Sequence, residues 1–120
     1  NITLKLKKSG DPTGFAEIGV FNADGTVKKL FTTKDVSTLT TSYTDYTFSL
    51  PSGQFYQIQS GDRIGIKYSG GSTTNNISVM RDTNAADPFD GINSYHTYYT
   101  TIWTSATAND LYMILRQSSP

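Results

Sequence analysis

Ile2-Thr3-Leu4-Lys5-Leu6-Lys7 opens the chain with an apolar residue at every second position and a polar one between. Side chains alternate across a strand, so this spacing turns Ile2, Leu4 and Leu6 to one face and Thr3, Lys5 and Lys7 to the other, as in a half-buried strand. The period recurs along the chain. Ala16, Ile18 and Val20 form a second inward set, followed by Tyr46, Phe48 and Leu50, by Ile64, Ile66 and Tyr68, by Ile77 and Val79, and by Leu111, Met113 and Leu115. No helical stripe is sustained anywhere.

Turn chemistry separates these sets. Gly10 to Gly14, Asn22-Ala23-Asp24-Gly25, Leu50-Pro51-Ser52-Gly53 and Gly70-Gly71-Ser72 each carry the residues that tight turns use. Asp24-Gly25 between two apolar runs is the strongest hairpin signal. Asp35 to Thr44 reads as a crossover, and Lys34 to Leu39, which does not alternate, reads as a short helical turn. Eight or nine short strands at this spacing make an all-β, antiparallel sandwich of jelly-roll kind, formed as a single domain over residues 1–120.

Composition narrows the function. The chain has 120 residues, enough for a core without metal or disulfide staples, and its formal net charge is zero. That balance disfavours nucleic acid and anionic membranes as partners, and no apolar run is long enough for membrane insertion as a helix. Charged residues make up 17%, against about 25% in ordinary domains, and Ser and Thr together number 31. Such a surface belongs to a secreted or cell-surface β protein. Cysteine is absent, which removes thiol chemistry and points to a prokaryotic exterior. A chain starting at Asn1 with neither Met nor leader reads as a mature surface subunit or a module of a larger secreted protein. The triplets Asn1-Ile2-Thr3 and Asn76-Ile77-Ser78 are glycosylation sequons of a kind that arises by chance in Thr-rich sequences.

Several segments resemble a known family. Ile2 to Gly14, Asp35-Val36-Ser37-Thr38-Leu39 leading to Tyr46-Thr47-Phe48, and Gln59-Ser60-Gly61-Asp62-Arg63-Ile64 are similar to the choice-of-anchor β-sandwich domains of large secreted and surface-anchored prokaryotic proteins. That resemblance spans roughly the first 70 residues and implies a fold rather than an activity. In architecture the chain is also similar to jelly-roll carbohydrate-binding modules. Those commonly carry a structural calcium and an aromatic sugar-stacking surface.

Catalytic groups are scarce. His96 is the sole histidine and no Gly-x-Ser-x-Gly elbow accompanies it, so a serine triad has no framework. Nine of the ten acids are Asp, most in turns, while Glu17, the only glutamate, falls mid-strand. A general acid paired with a second carboxylate across a cleft is not indicated. The chain reads as no enzyme.

Residues 82–112 hold the candidate site. Asp82, Asp87 and Asp90, with the amides of Asn84 and Asn93 and bends at Pro88 and Gly91, offer the oxygen donors that calcium takes, and Asp110 closes the set. The alternative is a metal-free loop of Asx turns. Tyr95, His96, Tyr98 and Tyr99 then alternate so that both faces of one strand carry rings, which cannot all be core. Exposed rings beside polar groups suit pyranose stacking, so these residues, Arg81, and Trp103 in its Thr-rich loop are the expected ligand-binding set. The expected partner is a polysaccharide or glycan held by a non-catalytic accessory module. The competing expectation is a structural or adhesive subunit whose strand edges pair with neighbouring copies in a filament or surface layer.

Overall fold

The computed structural model describes the backbone of residues 1–82, 96–99, 103–106, 110–111 and 113–116, and the side chains of residues 1–80 and 113–116. Within them the chain is all-β and antiparallel, with two sheets of four and three strands facing each other as a sandwich. In the first sheet β1 (Ile2–Ser9) is central. β4 (Thr44–Phe48) runs along one side, in register Ile2↔Phe48 to Leu6↔Thr44. The other side is shared end to end by β6 (Asn76–Val79), opposite Leu6 to Ser9, and β11 (Met113–Leu115), opposite Ile2 to Leu4. In the second sheet β2 (Phe15–Phe21) lies between β3 (Val27–Asp35) and β5 (Arg63–Lys67).

The alternation of the opening hexapeptide is realised in full. Ile2, Leu4 and Leu6 are completely buried against Ala16, Ile18, Val36, Leu39 and Phe48. On the outer face Thr3 and Thr47 share a 2.8 Å hydrogen bond, Lys5 pairs with Asp45 at 3.0 Å, and the Lys7 ammonium stands 4.8 Å from the centre of the Tyr43 ring. Tyr46, Ile64, Ile66, Tyr68, Ile77, Val79 and Met113 pack around the core half-buried. Each fully buried Leu or Ile contributes about 1.5–3 kcal/mol of transfer free energy. Two expected inward residues behave differently. Leu50 lies beyond the end of β4, and Leu115 is exposed because β11 ends where the sandwich is open.

β3 escapes any simple period, for a visible reason. Ile18 pairs with Thr32 but Gly19 pairs with Leu30, and Val20 pairs with Lys29 but Phe21 with Val27, so Phe31 and Lys28 are each extra residues in bulges. Every bulge shifts the alternation by one. Gly19 is required beside the first of them, since a Cβ there would collide with the Lys29 carbonyl. At the preceding hairpin, Gly25 adopts φ +84° and donates to the Asn22 carbonyl at 3.0 Å, which closes the expected Asp24-Gly25 turn.

The crossover between sheets contains the short helical turn, Val36–Thr38. Asp35 caps it, accepting from Ser37 N–H at 3.0 Å and Ser37 Oγ at 2.7 Å, and these bonds hold its carboxyl below the usual range. Val36 and Leu39 thereby enter the gap between the sheets and seal that side. No helix among the described residues is long and apolar enough to cross a membrane.

Candidate functional site

The edge shared by β6 and β11 is where the expected site residues leave the sandwich. Met80 N–H donates to the Lys5 carbonyl at 3.0 Å, and directly after it β7 (Arg81–Asp82) departs from β1 to pair with β10 (Asp110–Leu111). The register sets Asp82 opposite Asp110 and Arg81 opposite Leu111. Two of the four expected calcium ligands, far apart in sequence, are thus brought together at a two-stranded stem. Like charges directly opposite on a ladder repel, and a cation between them offsets that cost. Calcium takes six to eight oxygens, more than two carboxylates supply. Asp87 and Asp90 lie outside the described residues, and among the described ones no group of three or more His, Cys, Asp or Glu gathers.

Between β7 and β10 in the chain lies a hairpin, β8 (His96–Tyr99) with β9 (Trp103–Ala106). Trp103 was expected in a loop; it is instead the first residue of a strand. The Thr and Ser that read as loop composition also suit a pleated ladder, and pairing to β8 decides between the two. The register places Tyr99 opposite Trp103, Tyr98 opposite Thr104 and His96 opposite Ala106. Tyr95, also expected in the ligand-binding set, lies outside the described residues, as do Asn84, Phe89 and Asn93.

A concave region elsewhere in the sandwich was not anticipated. One end of the sandwich opens into a groove of about 560 Å³ whose floor is Ile2, Val20, Phe31 and Ile64. The connection between β4 and β5 overhangs it with Phe55, 70% exposed, and Ile58, 51% exposed, while Leu115 borders the opposite side at 44%. Apolar residues of this size inside a Pro-, Gly-, Ser- and Gln-rich loop were the signal available in the sequence.

The overhang is fastened by one carboxylate. Asp62 accepts from Lys28 Nζ at 2.6 Å on one oxygen, and from the Tyr56 hydroxyl at 2.6 Å and Gln59 N–H at 2.8 Å on the other. Its side chain is only 2% exposed. The Lys28 ammonium, then the Tyr56 hydroxyl and the Gln59 amide, lower its pKa to about 2. The same contact raises the pKa of Lys28 and, by giving its proton an acceptor, that of Tyr56. Lys28 arrives there as the bulged residue of β3. Lys29 adds a 2.7 Å bond to Gln54 Oε1, further along the same connection.

A scan against protein-family models found no match to this chain, and searches of curated proteins and of solved structures returned none either. Sequence and geometry therefore carry the reading, and at the level of fold they agree on a small all-β domain built from two antiparallel sheets.

Proposed function

We propose that this domain is a non-catalytic carbohydrate-binding module of a secreted or cell-surface, prokaryotic protein, akin to choice-of-anchor and jelly-roll modules, with the β8–β9 hairpin as its contact surface. The observation that carries the reading is the pairing of Tyr99 with Trp103, which joins two expected sugar-stacking residues on one ladder. Register partners occupy one face of a ladder, which is the arrangement a single stacking platform needs. In this reading calcium bound at Asp82 and Asp110 braces the two strands that flank the hairpin in the chain.

Assembly through strand edges ranks second. β3, the longest edge strand described, carries two bulges and Lys28, Lys29 and Lys34, the devices by which edges avoid pairing with other chains. Electrophoresis through gels containing soluble glucan, xylan or mannan tests the choice. Retardation by one of the three, abolished by Trp103→Ala, is expected. Unretarded migration together with growth into polymers would replace binding by assembly.

A further inference from the structure

We propose that the groove at the open end of the sandwich binds an amphipathic anion: a single aliphatic chain lying on the apolar floor, with its carboxylate at the cationic rim. The floor residues Ile2, Val20, Phe31 and Ile64 come from both sheets, so an apolar chain there continues the core rather than lying on a flat surface. About 560 Å³ falls within the roughly 300–1,000 Å³ typical of small-ligand clefts. Phe55, Ile58 and Leu115 leave apolar surface in water at the groove's border, and an apolar chain laid beneath them removes it.

Charge selects the head group. Among the described lining residues Arg116 is the one charged side chain, and none is Asp or Glu. Asp62, which fastens the overhanging connection, is already paired with Lys28. Lys29, paired in register with the floor residue Val20, bonds the neutral Gln54 side chain, which leaves its charge unmatched by that contact. Among the described residues the rim is therefore positive over an apolar floor, complementary to an aliphatic carboxylate and repellent to an aliphatic ammonium. This ligand and this location are separate from the sugar contact on the hairpin, so neither proposal depends on the other.

The test is a titration of the isotope-labelled chain with decanoate, decanol and decyltrimethylammonium, each below its micellar concentration, followed by amide chemical shifts. Saturable shifts at Ile2, Val20, Phe55 and Ile64 are expected with decanoate, and binding about tenfold tighter than the ammonium, equivalent to about 1.4 kcal/mol. Arg116→Glu should abolish that preference, and Phe55→Ser should weaken decanoate several-fold; both residues are exposed, so the fold is retained. Absence of saturable shifts overturns the proposal. So does equal affinity for all three probes, or a shift pattern centred away from the groove.

Discussion

Lys28 Nζ lies 2.6 Å from Asp62 Oδ1, joining a bulge of β3 to the residue that precedes β5 and bridging over the strand between them. Because the same carboxylate also receives Tyr56 and Gln59, it fixes the connection that overhangs the apolar groove. Asp62→Asn keeps the shape but loses the charge-assisted bonds. It should lower the melting temperature, and by more than Lys28→Met, since all three bonds lose their charged acceptor, whereas Lys28→Met removes one and leaves Tyr56 and Gln59 bonded to the carboxylate. Equal melting temperatures for the two variants would contradict this.

The same clasp makes a pH prediction. The folded pKa of Asp62 is depressed to about 2, below the roughly 3.9 of an unfolded Asp. A depressed carboxylate contributes stability that is present above its unfolded pKa and lost as pH falls through its folded pKa. The melting-temperature gap between wild type and Asp62→Asn should therefore be constant above pH 5 and shrink between about pH 4 and pH 2. Asp24 and Asp35, also lowered by hydrogen bonds to Thr26 and Ser37, titrate alike in both proteins and cancel from the comparison.

Gly19 and Gly71 should respond oppositely to a methyl group. Gly19→Ala drives a Cβ into the Lys29 carbonyl, which only a shift of the β3 bulge relieves, at about 1–3 kcal/mol. At Gly71 the nearest atom is 3.5 Å away, an ordinary contact, so Gly71→Ala should fall within about 0.5 kcal/mol of wild type. Denaturant midpoints of the two variants measure the difference.

Core and rim are separable in the same way. Leu4→Ala removes a fully buried side chain and should cost about 2–5 kcal/mol. Leu115→Ala, at the open end, should cost much less. If the two were equally destabilising, the groove would be part of the closed core.

Calcium at the stem predicts a melting temperature that falls when chelator is added and recovers with excess calcium. In Asp110→Asn, chelator should have little further effect. A wild type insensitive to chelator would assign Asp82 and Asp110 to the ladder alone.

Strands whose alternation is unbroken were readable before any coordinates: Ile2, Leu4, Leu6, Ala16, Ile18 and Val20 are all core. The crossover at Asp35 was readable too, because Val36 and Leu39 break the alternation where an Asp can cap a turn. β3 was not, because its bulges at Phe31 and Lys28 reset the phase twice within nine residues. At the candidate site, sequence supplied Tyr99, Trp103, Asp82 and Asp110 but not their pairing, which depends on the register of a hairpin for the first two and of segments well separated along the chain for the aspartates. The groove went unread because Phe55 and Ile58 sit in a connection without period, and their place is set by hydrogen bonds to Asp62, which the distant Lys28 anchors in turn.

Trp103 is the only tryptophan, so its fluorescence reports on one residue of the hairpin. Titration with xylan-, glucan- and mannan-derived oligosaccharides, on wild type and on Tyr99→Ala, measures sugar contact at that point. Binding through the hairpin predicts a saturable change in emission with at least one of these oligosaccharides, weakened about tenfold or more when Tyr99 is removed, the loss of about 1.4 kcal/mol. An emission spectrum unchanged by every oligosaccharide, or a change indifferent to Tyr99, contradicts it.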